Sequence, residues 1–348
     1  MLEIDGSFGE GGGQILRTAL SLSCLLKKPF RIFNIRKARR KPGLMPQHLS
    51  CVRALTLISG ARVRGDSVGS TELIFEPSTV QPGEYLFDIG TAGSTTLLMQ
   101  SLLPPLIFAK KRSSLILKGG THVPFSPPFH YSSSVFSAML KFLGISINAG
   151  IVSYGFYPKG GGKINIEISP AASIEPLTLI ERGDIKKITG ISGVGNLPLS
   201  IAERQRDAAS KMLQLHGLNP EIEAIQAPCF GQGTFIFLGM ESVNCIAGFS
   251  SLGERGKKAE RVGEEAAIEL LDYYKGKACL DSHLADQIVL YLALSDGISF
   301  FTATRITEHL ITNLRVIEIF HEIEYGIEGE RGKPGMVTIK GKTGIIAK

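Results

Sequence analysis

Short apolar runs alternate along the chain with longer segments in which apolar residues recur every three or four positions. The short runs are typical of buried strands, and the longer segments of helices packed by one face. Over residues 1–80 the pattern predicts two strand–helix pairs and two closing strands: 2–4, 14–26, 30–35, 46–59, 61–63 and 72–75. The same order recurs in 85–89, 94–108, 114–118, 129–143, 146–148 and 163–168. The sequence therefore predicts an internal βαβαββ repeat.

A third copy of the repeat is interrupted. Its predicted elements are 177–180, 282–294, 298–302, 307–320, 323–326 and 336–339. The interruption has its own alternation of strands and helices: 187–192, 199–216, 221–225, 234–238, 243–249 and 254–275. We therefore expect an α/β (α+β) protein with a large domain at 1–183 and 277–348 and a small inserted α/β domain at 184–276.

The composition argues against a membrane protein and against a secreted protein. Of 348 residues, 43% are hydrophobic and 20% charged, and no apolar run approaches the ~18 residues that span a bilayer. The first residues lack the pattern of a signal peptide. Five widely spaced cysteines suggest neither a disulfide framework nor a zinc site. We expect a cytoplasmic protein that does not bind membranes.

Positive charge is concentrated between Lys27 and Lys41, which span eight basic residues and no acid. Such a cluster favours a polyanionic partner, although a solvated basic face is an equally good interpretation. Glycine-rich turns at 9–13 and 90–94 each join a predicted strand to a helix. These turns can present backbone N–H groups to an anion, or they can simply be tight turns that need small residues.

His309 follows the predicted strand 298–302 and lies in the first turn of the next helix, with Thr307 as a candidate N-cap. A helix N-terminus disfavours a protonated imidazole, and a neutral imidazole is a nucleophile. Taken alone, His309 is better explained as a structural histidine. If it is a nucleophile, the basic and glycine-rich surroundings favour phosphorus as its target.

Other polar residues lie at equivalent strand-to-helix junctions of the repeats. Those of the first copy are Glu10, Arg17, Arg36, Arg39, Gln47 and His48. The arginines and His48 could bind a phosphorylated end. Glu10 could bind a cation or be a surface charge. In later copies, Gln100 interrupts an apolar helix, and His283, Asp286 and Gln287 share a helix face. That face could bind a metal, although it is a poor set of zinc ligands, or form hydrogen bonds to a base or ribose.

Together these residues resemble the RNA 3′-terminal phosphate cyclase family. The matching segments run in order through nearly the whole chain: 5–7, 9–17, 35–39, 42–44, 47–49, 90–94 with Gln100, 119–121, 155–162, 283–287 and 309–313. The resemblance implies three βαβαββ units, similar to the C-terminal domain of translation initiation factor three and to EPSP synthase, with a thioredoxin-like insert.

The resemblance also implies a reaction. His309 would attack the α-phosphorus of ATP, AMP would pass to an RNA 3′-phosphate, and the 2′-OH would close a 2′,3′-cyclic phosphate. It implies an ATP site at Gln100, His283, Leu284, Ala285, Asp286 and Gln287, and Glu10 as the contact to Mg²⁺ or Mn²⁺. Arg17, Arg36, Arg39, Gln47 and His48 would bind phosphate or the transition state.

Two alternatives remain. One is a non-enzymatic, cyclase-like ribosome-biogenesis factor, which would lack the histidine that stands here at position 309. The other is a small-molecule transferase of the EPSP-synthase kind, which needs no nucleophilic histidine. The sequence leaves open the physiological RNA, RNA versus DNA ends, the metal and the oligomeric state, a homodimer or higher oligomer included.

Overall fold

The structure is a computed structural model that describes residues 1–342. Four mixed sheets of four strands each are combined with nine α-helices in this part of the chain. The predicted mixed α/β class is therefore confirmed. Among the described residues, no helix is both long and apolar enough to cross a membrane.

Sheet I is built by the first 76 residues. Its elements are β1 (Leu2–Asp5), α1 (Gly13–Leu26), β2 (Phe30–Phe33), α2 (Pro46–Ser59), β3 (Arg62–Arg64) and β4 (Leu73–Glu76). The strand order is β1-β2-β4-β3, with β1 and β2 parallel and the other pairs antiparallel. Helix α2 ends at Gly60, whose φ of 61° suits a left-handed C-cap.

Sheet II follows with the order β5-β6-β8-β7. Its elements are β5 (Glu84–Asp88), α3 (Thr95–Ile107), β6 (Ser113–Gly119), α4 (Phe129–Tyr131), α5 (Ser137–Phe142), β7 (Ile147–Ser153) and β8 (Gly162–Ile168). A π-helical turn at Ser132–Phe136 separates α4 from α5. The helix predicted at 129–143 is therefore interrupted.

Sheet III combines β9 with strands that follow more than a hundred residues later. Its elements are β9 (Thr178–Leu179), α8 (Ser282–Ala293), β14 (Gly297–Ala303), α9 (Glu308–Phe320), β15 (Glu324–Glu328) and β16 (Gly335–Gly341). The order β15-β16-β14-β9 matches that of sheets I and II when it is read from β9.

Sheet IV lies in the interruption, with the order β11-β10-β12-β13. Its elements are β10 (Ile185–Gly195), α6 (Leu199–Gln214), β11 (Glu221–Gln226), β12 (Gly233–Ser242), β13 (Ile246–Leu252) and α7 (Ala259–Lys275). Helices α6 and α7 share a hydrophobic core with this sheet, whereas the largest core joins sheets I, II and III. The predicted domain boundaries stay a prediction, and residues 343–348 lie outside the described residues.

The bounds of most predicted elements lie within about three residues of the observed ones. The starts of β13 and α7 differ from the prediction for reasons that the structure shows. Strand β13 begins at Ile246 rather than at Val243, because Val243 lies in a turn and donates its N–H to Asp184 O at 3.0 Å. Helix α7 begins at Ala259 rather than at 254, because a turn precedes it in which Gly256 has a φ of 88°.

Candidate active site

A cavity of about 840 Å³ lies where helices α1, α2, α3, α8 and α9 converge. Most of the predicted site residues line it, although they come from segments nearly 300 residues apart. These residues are Glu10, Arg17, Arg36, Arg39, Gln47, His48, Gln100, His283, Asp286, Gln287 and His309. The structure therefore brings together, in one cavity, the polar residues at the strand-to-helix junctions that the sequence pattern singles out.

His309 is the second residue of α9, two positions after the N-cap Thr307. The hydroxyl of Thr307 accepts a hydrogen bond from Leu310 N at 2.9 Å, which confirms the predicted cap. The same hydroxyl donates to the Asp286 carboxylate. Thr307 therefore fixes the start of α9 and joins it to α8.

The imidazole of His309 is half-buried, and its Nδ1 contacts two side chains of the first loop and helix. Gln14 Oε1 forms a hydrogen bond with Nδ1, and Glu10 Oε2 lies 3.7 Å from the same atom. Because a carboxamide oxygen only accepts, Nδ1 carries the proton and Nε2 keeps its lone pair. Nε2 takes part in neither of these two contacts.

The pKa of His309 lies below its ordinary value. Burial is the largest cause, Arg17 adds to it, and the Glu10 carboxylate opposes it. The imidazole is therefore neutral at pH 7. The predicted neutrality agrees with this direction, but removal from water, rather than the helix N-terminus, is the main cause.

A seam of hydrogen bonds joins the first loop to α9. Glu10 N donates to Thr312 Oγ1 at 3.2 Å, and Thr18 Oγ1 donates to Asn313 Oδ1 at 2.8 Å. Asn313 Nδ2 donates in turn to Asp286 O at 2.7 Å. These bonds hold His309, the first loop and α8 in fixed relative positions.

Glu10 is both paired and partly unsatisfied. Arg39 forms an ion pair with Glu10 Oε1 and donates to Glu10 O at 3.1 Å. Glu10 Oε2 is buried and has no hydrogen-bond partner among the described residues. A buried carboxylate oxygen without a donor suits a hard cation whose other ligands are water and phosphate oxygens. Residues 1–342 contain no group of three or more His, Cys, Asp or Glu side chains that could hold a metal ion, so a cation at Glu10 would have at most two such protein ligands.

His48 is the third residue of α2 and faces Arg17. Its Nδ1 accepts a hydrogen bond from Met45 N at 3.1 Å, so in the neutral ring Nε2 carries the proton. Burial, followed by the charges of Arg17 and Arg36, lowers the pKa of His48 to about 3. His48 is therefore a neutral hydrogen-bond donor beside two guanidinium groups, which suits an anion.

Gly13 leaves the space that the His48 ring occupies. A Cβ at position 13 would lie 2.2 Å from His48 Nε2 and 3.0 Å from an Arg17 guanidinium nitrogen. The glycine-rich segment is therefore needed for the close approach of these two side chains, besides any role in a turn.

Another part of the cavity wall is polar and has unsatisfied hydrogen-bonding atoms. Gln100 Nε2 and Gln287 Oε1 are buried and have no partner among the residues that the structure describes. Burial raises the pKa of Asp286 to about 8, against the lowering effect of its hydrogen bond to Thr307. Buried polar groups in proteins are nearly always paired, so this wall is suited to a hydrogen-bonding ligand.

Two predicted site residues do not reach the cavity. Leu284 and Ala285 are fully buried in the large hydrophobic core, on the other face of α8. Conversely, Gln14 was not predicted as a site residue, although it shares a helix face with Arg17. The structure also adds Gly248, Ser250, Leu252 and Glu269 from β13 and α7. No motif in these segments signals a site.

Comparison with known proteins identifies the class. A model of the family described as RNA 3′-terminal phosphate cyclase matches residues 8–327. A relative named RNA 3′-terminal phosphate cyclase from Sulfolobus acidocaldarius is 47% identical, over 94% of this chain and 97% of the relative. Relatives of the same name from Staphylothermus marinus and Desulfurococcus amylolyticus are 42% and 43% identical, each over 98% of both chains.

The matches extend over nearly the whole of each relative, and all carry the name of an enzyme. The chain therefore belongs to the RNA 3′-terminal phosphate cyclase family, an enzyme family. Among solved structures, the enolpyruvyl transferase NikO from Streptomyces tendae is matched at 11% identity with a TM-score of 0.38. That match covers 95% of this chain and 47% of the transferase.

Proposed function

We propose that this chain converts an RNA 3′-terminal phosphate into a 2′,3′-cyclic phosphodiester at the expense of ATP. The observation that carries the proposal is the orientation of His309. Its Nδ1 is bonded to Gln14, and its neutral ring leaves Nε2 free beside a cavity lined by arginines. Family membership provides the substrate class.

In the first step, Nε2 of His309 attacks the α-phosphorus of ATP. The bond to the β-phosphate oxygen breaks, pyrophosphate leaves, and a histidine–AMP phosphoramidate remains. The proton on Nδ1 stays hydrogen-bonded to Gln14, and Glu10 stabilises the positive charge that develops on the ring.

In the second step, an oxygen of the RNA 3′-phosphate attacks the same phosphorus, and the bond to Nε2 breaks. The 2′-OH then attacks the 3′-phosphorus, AMP leaves, and the hydroxyl proton is released. Adenylation makes this closure possible, because AMP is a far better leaving group than a bare phosphate oxygen. Arg17, Arg36, Arg39, Gln47 and His48 would bind the phosphates.

The nucleotide would lie against the polar wall of the cavity. The unsatisfied Gln100 Nε2 and Gln287 Oε1 are suited to hydrogen bonds from and to ATP, with His283 and Asp286 beside them. A divalent cation bound by Glu10 Oε2 would supply charge neutralisation at the phosphates. Leu284 and Ala285 would act indirectly, by packing α8 against the core.

We also propose the domain assignment that this family implies. Sheets I, II and III are three copies of one βαβαββ unit, since they share one strand order. Sheet IV with α6 and α7 forms a thioredoxin-like insert at 184–276, which has a core of its own.

The proposal is tested with ATP labelled at the α-phosphate and Mg²⁺, in the absence of RNA. We expect an acid-labile, alkali-stable protein adduct that His309→Ala abolishes, and that discharges onto an RNA ending in a 3′-phosphate. His321→Ala, which changes a buried histidine at the other end of α9, is the matched control. No adduct would rule out the histidine–AMP mechanism, and an adduct that does not discharge would rule out the substrate.

A further inference from the structure

Two exposed aromatic rings and a lysine lie on neighbouring loops outside the cavity. Tyr157 and Lys159 occupy the tip of the loop that precedes β8, where Phe156 and Gly160 form a bridge. Phe230 lies in the loop that precedes β12. The relative exposures of Tyr157 and Phe230 are 69% and 74%. We call Tyr157, Lys159 and Phe230 the aromatic platform.

The platform is held in place although its rings face solvent. Asn196 Nδ2 lies 3.1–3.3 Å from three carbonyl oxygens of the Phe230 loop, those of residues 229, 230 and 231. Lys159 Nζ lies 5.2 Å from the centre of the Phe230 ring. Phe230 is therefore held exposed by a fixed loop, where a flexible one could fold the ring away from water.

Glycines let the two loops interlock. A Cβ on Gly231 would lie 3.3 Å from Lys159 Cβ, and a Cβ on Gly161 would lie 3.4 Å from Phe230 Cβ. Each loop thus has a glycine where the side chain of the other passes. The platform therefore joins sheet II to sheet IV as one surface.

Backbone contacts connect this surface to the cavity. A Cβ on Gly160 would lie 2.8 Å from Thr91 O and 3.0 Å from Ala92 Cα. In the same turn, a Cβ on Gly93 would lie 3.5 Å from the Cβ of Gln47, which lines the cavity. A single turn, 90–93, therefore lies between the loop of the platform and Gln47 in the cavity wall.

The charge of this surface complements a polyanion. The segments 89–95, 155–163 and 228–232 contain two lysines and no acidic residue. At the cavity end, the basic loop with Arg39, Arg40 and Lys41 is exposed. Exposed aromatic rings with lysine between them are the features that bind successive bases and phosphates of a single strand.

We propose that the aromatic platform binds the single-stranded RNA immediately upstream of the 3′-terminal nucleotide, with bases stacked on Tyr157 and Phe230 and a phosphate at Lys159. The inference rests on the proposed function and adds to it a binding site outside the cavity. It predicts that an oligonucleotide with a 3′-phosphate binds more tightly than a single nucleotide with the same phosphate.

The test compares cyclisation of a six-nucleotide RNA 3′-phosphate with that of a nucleoside 3′-monophosphate. Phe230→Ala is expected to raise the KM of the hexamer about fivefold or more, since a stacked base contributes at least that much. The kcat, the KM of the mononucleotide and the formation of histidine–AMP without RNA are expected to stay the same. Lys159→Ala is expected to reduce the slope of log affinity against log salt by about 0.7.

Matched controls come from α5, where Lys141 and Phe142 are adjacent and exposed and do not line the cavity. Lys141→Ala and Phe142→Ala are expected to change none of these values. If Phe230→Ala leaves the KM of the hexamer unchanged, or raises the KM of both substrates equally, the platform is not an RNA site. A wild-type chain that forms no histidine–AMP refutes the proposed function instead, so the two failures are distinguishable.

Discussion

The contact between Gln14 and His309 makes a prediction about the pH dependence of the first chemical step. Gln14→Leu keeps the approximate size of the side chain and removes the acceptor for Nδ1–H. A neutral hydrogen bond contributes about 0.5–1.5 kcal/mol, so its loss is expected to slow adenylation roughly two- to tenfold. Adenylation is expected to be slower at every pH, because the lost hydrogen bond decides which nitrogen of the neutral ring carries the proton and not whether the ring is protonated.

Gln14→Glu is expected to behave differently. The new carboxylate would join Glu10 beside Nδ1 and favour the protonated imidazole, which raises the pKa of His309. The acid limb of the adenylation profile would therefore move to higher pH, by roughly one unit or more. In the wild type, the limb is expected below pH 6.5, since burial lowers the pKa of His309.

The measurement is a rapid-quench single turnover with α-labelled ATP between pH 5 and pH 9. Gln214→Leu, at an exposed glutamine at the end of α6, controls for replacing an amide by an apolar side chain. The reasoning is refuted if Gln14→Leu adenylates at the wild-type rate throughout, or if Gln14→Glu moves the acid limb to lower pH.

Three further substitutions test the surroundings of the site. Gly13→Ala should slow discharge to RNA by displacing the His48 ring, so adding Gly13→Ala to His48→Ala should cause no further loss. Thr307→Val should destabilise the fold by about 1–2 kcal/mol in urea, because it removes the cap of α9, whereas Thr307→Ser should not. The folded-state pKa of Asp286, about 8, lies above its ordinary value of 3.8, so the free energy of unfolding should fall as pH rises from about 4 to about 8 and level off above pH 8. Asp286→Asn should remove that fall.

Each of these expectations has a contrary result. Additive losses in the double variant would mean that Gly13 acts independently of His48. Equal stabilities of Thr307→Val and Thr307→Ser would exclude the cap as the source of stability. An identical slope of stability against pH in the wild type and Asp286→Asn would mean that this carboxyl does not titrate in that range.

The sequence is most informative where local patterns decide the structure. Helix α2 is found at the predicted bounds of 46–59, since Pro46 suits its first turn and Gly60 its end. The π-helical turn at Ser132–Phe136 was not predicted, because the apolar periodicity continues through it. Its geometry depends on packing rather than on a breaking residue.

The residues that line the cavity were predicted from the sequence only where an individual polar residue stands out from its surroundings. The family motif at 283–287 suggested a contiguous binding segment, but the helix turns Leu284 and Ala285 into the core. The hydrogen bond between His309 and Gln14 joins residues that are 295 positions apart in the sequence, so no local pattern could predict it. The sequence likewise does not predict that β13 lines the cavity, because Gly248, Ser250 and Leu252 have no side chain that is typical of a binding site.

The seam between the first loop and α9 also has a consequence for the nascent chain. Glu10 and Thr312 are 302 residues apart, and Gly9, with a φ of 56°, packs directly against Thr312. Sheets I and II are made long before the ribosome reaches His309. A partly synthesised chain can therefore fold most of its structure before His309 completes the wall of the cavity and Thr312 closes the seam.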